Sequence, residues 1–502
     1  MNLNDIPLIE DLLLSTSNSD YDIVVAGGGI AGMLAATSAA KYSNQTLKIL
    51  IVDRNDHSEA GKKTNSGWIC GDAVSDNKIS YVEKHLGIRY DFPEIEHSVK
   101  GVIAYSPDHS TPNVFEGDGY LLDRKLFPQR QLRDAKKMGV EFIGGISVTG
   151  AISENNFITG IKGLKRSNGK AEPFQVTAKI VIDCAGIASP IRNDLPIDSY
   201  IQRKIDRDDL EATGRYIFEF EHGAEDKTFF DPDNCLIHLD QEMAPGGYAW
   251  VFPKGDNKVN IGLGVQKKRH DWRNKRLGSS DTLQVLLEKY VAANPVIKNP
   301  KVVEDGNGYG FFQVSVRRQA DCMVANGYMI AGDTAWGPRA IDAGGIGPAL
   351  MMAVLAGKNA SIALESGDVS EKSLWSYTKQ FFDEYGYKMA SYEVLRRVLQ
   401  SLDNNQINFG VNNVLSNLDI EDIADGDPPE FGKAATFNAF SKALFSTRLT
   451  KNFRTIRDIM YYKKKNEFLT NLNKNYPDSP DKFTEWHKIL LRELHEVFEK
   501  YP

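Results

Sequence analysis

The chain has four cysteines in 502 residues, Cys70, Cys184, Cys235 and Cys322, and they lie far apart. That spacing excludes a CxxC zinc pair, a clustered iron–sulfur ligand set and a disulfide scaffold, and it fits a reducing cytoplasm. Histidine is scarce as well, nine in all, and neither a Ser-His-Asp set nor a metal-ligating set can be assembled from it. Positive charge is not in excess: the formal net charge of -7 argues against general nucleic-acid binding. No apolar run reaches the roughly 18 to 20 residues needed to cross a bilayer, because Gly, Asp or Lys interrupts the best candidates. The first twenty residues carry no basic stretch ahead of their short apolar run, unlike a secretory signal, and read as a frayed lead-in or a short surface helix.

What remains is an ordinary globular composition, 41% hydrophobic and 25% charged, at a length that suggests two or three domains. Tyr21 to Ala26 reads as a buried strand, and Gly27-x-Gly29-x-x-Gly32 follows it directly and opens a helical stretch. A second apolar strand, Leu47 to Val52, ends in Asp53, 21 residues after Gly32. Gly27 allows the tight turn, Gly29 lets backbone approach a pyrophosphate, and Gly32 lets helix and strand pack closely. Ile30 and Ala31 begin the helix whose free N–H groups face the phosphates, Asp53 is placed to accept from a ribose hydroxyl, and Arg54 adjoins it. The pattern predicts dinucleotide binding without choosing between NAD and FAD.

A distant segment, "GYMIAGDTAWGPRAIDAGGIGPALMMAVLAGKNAS", bears on that choice. Tyr328 to Ala331 reads as a strand running into Gly332-Asp333, and Gly344-Gly345-Ile346 opens an alanine-rich helix with a second available N-terminus. Two such segments so far apart imply a discontinuous site around a long cofactor. The segment resembles flavoproteins of the hydroxylase superfamily, and that likeness implies that Gly332 and Asp333 meet the ribityl and pyrophosphate region of FAD while the second helix points at the flavin edge. A turn or cap is the plainer alternative for Asp333.

The stretch "GYAWVFPKGDNKVNIGLGV" reads as a hairpin, with strands on either side of a Pro-Lys-Gly-Asp-Asn connection. The two-residue period of a strand puts Tyr248, Trp250 and Phe252 on one side.

Together these motifs resemble the geranylgeranyl reductase family, FAD enzymes that saturate prenyl double bonds. The matching residues are the GxGxxG with Asp53, "CGDAVS" at Cys70 to Ser75, "LLDRKLFPQRQLRDA" with Arg124, "YAWVFPKG" at Tyr248 to Gly255, and "AGDTAWGPRAIDAGGIGPAL". The likeness implies that Tyr248, Trp250 and Phe252 line the cavity where a lipid tail meets the flavin. It places Cys70 near the flavin as the candidate catalytic residue, relaying a proton or gating substrate, with Gly71 and Asp72 beside it; a small buried hydrophobe is the alternative for Cys70. Arg124 is expected to reach the cofactor phosphates, or else to be a solvated helix-start arginine. Two departures stand out: Ala185-Gly186 occupies a place where the superfamily often has Asp-Gly, and Ala343-Gly344-Gly345-Ile346 replaces Gly-Glu-Gly-Ile.

The expected fold is α/β, with a discontinuous Rossmann-like FAD-binding domain over 21–195 and 310–365. A mixed-sheet substrate domain over 196–309 and a helical region over 366–502 follow, and residues 1–20 form the lead-in. Arg448, Lys451, Arg454 and Arg457 recur every three residues, with apolar residues between and Lys463 to Lys465 after them. This is a candidate contact for anionic headgroups on the inner face of the membrane, or a helix packed on the body with a solvated basic side. The expected partners are a prenyl lipid and an electron donor, NAD(P)H or a ferredoxin-like protein. The rival functions are an FAD-dependent monooxygenase or halogenase, and an electron-transfer flavoprotein reducing quinone.

Overall fold

The computed structural model describes residues 19–56, 70–167, 170–303, 308–415, 427–431 and 448–502, with isolated positions between 415 and 448. Most of the lead-in, residues 1–18, lies outside them.

Two sheets organise the chain. The first has eight strands, and its parallel core runs β17 (Tyr328–Ile330), β9 (Lys170–Asp183), β1 (Tyr21–Ala26), β2 (Ile49–Val52) and β6 (Glu141–Ile143), with β16 (Val324–Ala325) antiparallel at the edge. The strands β7 (Ile146–Glu154) and β8 (Phe157–Ser167) extend it as an antiparallel flap on β9. Ile23 to Ala26 of β1 and all of β2 are buried β-branched and aliphatic residues, as a sheet covered on both faces requires.

Helix α1 (Ile30–Tyr42) covers that sheet, and α4 (Ile346–Ser366) packs on α1. The crossing is backbone against backbone. A Cβ on Gly357 would lie 2.3 Å from the Ala35 carbonyl oxygen, and Ser38 and Ser361 donate across the seam to Val354 O and Ala39 O at 2.7 and 2.9 Å. By length and composition α4 resembles a membrane span, with a mean hydropathy of 1.3, contrary to the sequence expectation that no such stretch exists; it is a core helix, 83% buried. Its apolarity answers to α1 and the sheet.

The second sheet has nine strands, in the order β14 (Ile297–Val302), β10 (Leu210–His222), β13 (Lys258–Gln266), β12 (Ala249–Pro253), β11 (Asn234–His238), β4 (Ile95–Tyr105), β5 (Pro112–Leu122) and β3 (Ala73–Ser75), with β15 (Tyr309–Ser315) also on β10. It therefore takes three strands from within 21–195, so the boundary expected at 196 does not divide the sheets. The "CGDAVS" and "LLDRK" motifs belong to these strands, and that pairing carries them to the aromatic hairpin.

Alternation gives the second sheet two different faces. On one, Ala249, Val251, Ile261, Leu263 and Val265 pack with Leu286 and Leu287 of α3 (Leu283–Ala293). The other carries Tyr248, Trp250, Phe252, Cys235 and Ile237. The C-terminal region adds helices α5 (Glu371–Glu384), α6 (Met389–Gln400), α7 (Asn404–Asn413), α8 (Leu449–Lys474) and α9 (Phe483–Lys500).

Candidate active site

The glycines of the first motif do three different jobs. Gly27 has φ +104, and a Cβ there would meet the Cys184 carbonyl oxygen at 2.4 Å. At Gly32 a Cβ would fall 1.8 Å from the Gly27 oxygen, so this residue lets helix and turn interpenetrate. A Cβ on Gly29 would meet nothing within 4 Å, which leaves the mouth of α1, with Ile30 and Ala31, open to a ligand. The Asp53 carboxylate accepts from Gly28 N and Asn55 N, both at 2.7 Å, and so fixes the turn while each oxygen keeps a second lone pair. Burial raises its pKa against those two bonds and the neighbouring Arg54, which is exposed.

The distant Gly332-Asp333 segment joins this mouth directly. A Cβ on Gly332, whose φ is +63, would lie 2.8 Å from the Ala31 Cβ and 3.9 Å from that of Ala349, so the residue sits between the starts of α1 and α4. Gly345 caps α4, and a Cβ there would lie 3.7 Å from Asp333 Oδ1. The Asp333 carboxylate accepts no hydrogen bond among the described residues; burial raises its pKa, opposed by the charge of Arg124. A half-buried acceptor without a protein donor, beside two helix N-termini and an open glycine, fits a hydroxyl- and phosphate-bearing cofactor of dinucleotide length. Gly344 lies one residue further out, exposed, its N–H donating to Asp342 Oδ1 at 3.0 Å. At the variant positions, Ala343 adopts φ +55, a left-handed conformation that glycine would hold without strain, and Gly186 exchanges hydrogen bonds with Thr334.

Arg124 links that mouth to a second cluster. Its Nη1 donates to Cys70 Sγ at 2.6 Å. The Cys70 thiol in turn donates to Asp72 Oδ1 and accepts from Asp72 N, both at 3.2 Å. Burial pushes the thiol up to about 11, with Arg124 opposing, so Cys70 is protonated at neutral pH. Asp72 has φ +67 and is fully enclosed, and Lys254 Nζ and Asn260 Nδ2 donate to its Oδ2 at 3.2 and 2.8 Å. Burial alone would raise its pKa; Lys254, Arg215 and Arg124 outweigh burial and hold the carboxylate below its usual range. Lys254 also binds Glu96 at 2.7 Å.

The aromatic residues extend from this cluster as a ladder. The rings of Tyr248 and Trp250 lie 6.1 Å apart, and those of Trp250 and Phe252 6.2 Å. Phe252 covers Gly71, where a Cβ would come within 2.7 Å of its ring, and Trp250 covers Gly262, where the gap would be 2.3 Å. The indole N–H of Trp250 donates to Asn260 Oδ1 at 2.9 Å, which orients the same amide that holds Asp72. At the other end the Tyr248 hydroxyl donates to Asp342 O at 2.5 Å, tying the ladder to the loop that enters α4. Beside Tyr248 is a cavity of about 80 Å³ whose lining includes Ile341, Ala343, Gln400 and Ile407.

The structure thus brings Gly332, Asp333 and Gly345 to the mouth of α1, and Cys70, Gly71, Asp72 and Arg124 to the Phe252 end of the ladder, while Arg54 and Gly344 stay exposed. Sequence reasoning missed Lys254, Asn260, Arg215 and Glu96. Lys254 and Asn260 stood inside the predicted hairpin without being singled out, whereas Arg215 and Glu96 lie on strands whose pairing no spacing revealed.

Comparison with known proteins agrees with this arrangement. A family model described as the geranylgeranyl reductase catalytic domain matches residues 216–309. The chain is 30% identical to digeranylgeranylglycerophospholipid reductase of Sulfolobus acidocaldarius over 475 residues, 93% of this chain and 96% of that protein. It is 32% identical to the protein of the same name in Methanosarcina acetivorans, over 73% of this chain and 82% of that one. Among solved structures, a geranylgeranyl bacteriochlorophyll reductase-like protein of Thermoplasma acidophilum covers 88% of this chain and 99% of its own, with TM-score 0.67 and 24% identity. A myxobacterial FAD-dependent chondrochloren halogenase shares the fold at TM-score 0.60 and 16% identity, over 89% of this chain and 97% of its own. Near-complete coverage of a relative at 30% identity shows that the chain belongs to the geranylgeranyl reductase family.

Proposed function

We propose that this chain is an FAD-dependent oxidoreductase that reduces C=C bonds of geranylgeranyl chains in membrane lipids or their precursors. The observation that carries the reading is the aromatic ladder on the mouth of a dinucleotide site, in a chain 30% identical to a digeranylgeranylglycerophospholipid reductase along nearly its whole length. FAD would be held by Gly27, Gly29, Gly32, Asp53, Arg124, Asp333 and the α4 N-terminus, and in reduced form it supplies hydride for an alkene carbon.

The chain's own residues supply the surroundings. An isolated prenyl double bond is barely polarised, so the site has to exclude water and orient the chain rather than stabilise an oxyanion. Tyr248, Trp250 and Phe252 give an apolar wall made rigid by the bonds of Tyr248 to Asp342 and of Trp250 to Asn260. Cys70, neutral and pinned by Arg124, closes the wall at the Phe252 end of the ladder, where it gates entry of the lipid chain. Electrons come from NAD(P)H or a ferredoxin-like protein. The enzyme works on the cytoplasmic side of the membrane, and the exposed Arg454, Arg457 and Met460 of α8 are the surface proposed to meet lipid headgroups, with Ile456 and Ile459 turned into the body. Lys465 is not part of that surface, because it is buried against Glu493 and Glu496.

Anaerobic single turnover tests the reading. Protein reduced with dithionite and mixed with geranylgeranyl lipid should reoxidise while the lipid gains two hydrogens per double bond. Flavin that stays reduced until oxygen or quinone is admitted, with lipid mass unchanged, would transfer the protein to the monooxygenase or electron-transfer class.

A further inference from the structure

The cavity beside Tyr248 is lined largely by carbon, yet one carboxyl group opens onto it. Glu211 is the second residue of β10, and the antiparallel register puts it on the face of the second sheet that carries the ladder, in step with Gln266 and next to Gly264. Its side chain is 5% exposed. Oε1 accepts from Gln400 Nε2 at 3.0 Å, and Oε2 has no donor among the described residues. Two glycines clear the space that Oε2 occupies: a Cβ on Gly264 or Gly247 would come within 3.2 or 3.3 Å of it. The carboxyl group therefore bounds the cavity together with Tyr248 and Ala343.

Behind Glu211 lies a smaller, polar pocket that shares Arg396 and Gln400 with the first and reaches Asp208, Arg269 and the exposed Pro502. Gln400, the hydrogen-bond donor to Glu211, thus borders both the apolar chamber and this polar pocket. The charged groups facing it are few. Arg396 approaches from α6 but is held by Asp209 at 2.7 Å, Tyr248 faces it from the lead-in to β12, and the Arg339–Asp342 pair lies beyond Tyr248. Its partners are Gln266 on β13 and Val314 on β15, neither of them charged.

We propose that Glu211 is the acid that donates the proton in double-bond reduction, a role that rests on the prenyl reductase reading. The π bond opens, one alkene carbon receives hydride from a two-electron reductant of the flavin class, and the other takes the Glu211 proton. Two C–H bonds form, the reductant is left oxidised, and Glu211 is left as a carboxylate that regains its proton from solvent on the Gln400 side. Burial, opposed by Arg396 and Gln400, pushes the carboxyl up to about 7, which suits an acid that must be charged and discharged near neutral pH. Cys70, at about 11 and pinned between Arg124 and Asp72, is a far weaker acid at the opposite end of the ladder.

Glu211→Gln keeps the shape and the Gln400 contact but has no proton to give. The expected result is normal flavin content, with lipid-driven reoxidation in anaerobic single turnover slowed by about 10²- to 10⁴-fold. Glu211→Asp should recover part of the rate. Wild-type rates should fall as pH rises through about 7, and the Gln variant should lack that step. Infrared difference spectra of the flavin-loaded protein without lipid give an independent readout: a protonated-carboxyl band lost above neutral pH in wild type that is reduced in Glu211→Gln to the share of Glu371. A Gln variant with the wild-type rate and pH profile, or an infrared titration that the substitution leaves unchanged, overturns the proposal while the reductase reading stands. Wild-type protein that leaves the lipid unchanged sinks that reading and the proposal with it.

Discussion

Replacing Lys254 with methionine removes the cation that bridges Asp72 and Glu96 and keeps most of the side-chain volume. The Lys254 side chain is 2% exposed and that of Asp72 0%, with Nζ bonded to Asp72, Glu96 and Leu122 O at 3.2, 2.7 and 2.9 Å. Breaking a buried ion pair from one side costs about 3–5 kcal/mol. Here Glu96 keeps Lys258 at 2.6 Å, and Asp72 keeps Asn260 and the field of Arg215, so the low end, about 3 kcal/mol, is expected. At roughly 2 °C per kcal/mol for a large chain, thermal scanning should show a midpoint lower by about 6 °C. The sign of the pH dependence follows from the depressed Asp72. Its stabilisation is present above the ordinary aspartate value of 3.8 and lost as pH falls through the lower folded value, so the gap between wild type and Lys254→Met should close in acid. Asp72→Asn combined with Lys254→Met should cost less than the sum of the single changes. A single substitution costing under about 1 kcal/mol, or strict additivity in the cycle, would refute the claim that this pair holds the Cys70 loop against the ladder.

Gly29→Ala should fold with wild-type stability but lose bound flavin, whereas Gly32→Ala, with its Cβ 1.8 Å from Gly27 O, should lower the thermal midpoint itself; flavin content and scanning of the same samples separate the two. Gly262→Ala forces a Cβ to 2.3 Å from the Trp250 ring and 2.5 Å from Gly214 O, so a loss of about 1–3 kcal/mol and altered Trp fluorescence are expected. Glu211, raised from 4.5 to about 7, stabilises the fold below pH 4.5 and loses that contribution as pH rises through about 7, a span of about 3 kcal/mol. Glu371, also raised to about 7, acts in the same window, so the difference between wild type and Glu211→Gln in pH-dependent melting isolates Glu211. Co-sedimentation with anionic liposomes should fall when Arg454, Arg457 and Lys464 become Gln, and unchanged binding would remove α8 as the membrane face.

The parts of the site that follow from a local rule were legible. Strand, GxGxxG and helix lie where the pattern predicts, because a turn that must approach phosphate admits few sequences, and the two-residue period correctly put Tyr248, Trp250 and Phe252 together. Strand ends shifted by a residue or two: the second strand starts at Ile49 rather than Leu47, and the hairpin strand at Ala249 rather than Tyr248. The illegible parts depend on pairing between distant strands. Nothing near Asn260 announces that its amide joins Trp250 to Asp72, since Asp72 lies 188 residues away. Glu211 is the second residue of an unremarkable strand, and only the register against β13 puts it over glycines. Likewise the motif beginning at Cys70 reads as part of the cofactor domain until β3 pairs with β5.

The nesting of Gly332 between two helix starts also has a consequence for synthesis on the ribosome. Gly332 follows Gly32 by 300 residues, which at about 5–20 residues per second is roughly 15–60 s of elongation. Through that interval α1 has emerged, but the backbone at Ala35 and Ala39 that Gly357 of α4 meets still lacks that partner. The mouth is complete only when α4 follows, so the two helix starts that flank Gly332 come together only late in synthesis. A chain ending before Ile346 is therefore expected to bind no flavin, which the absorbance of the purified fragment checks.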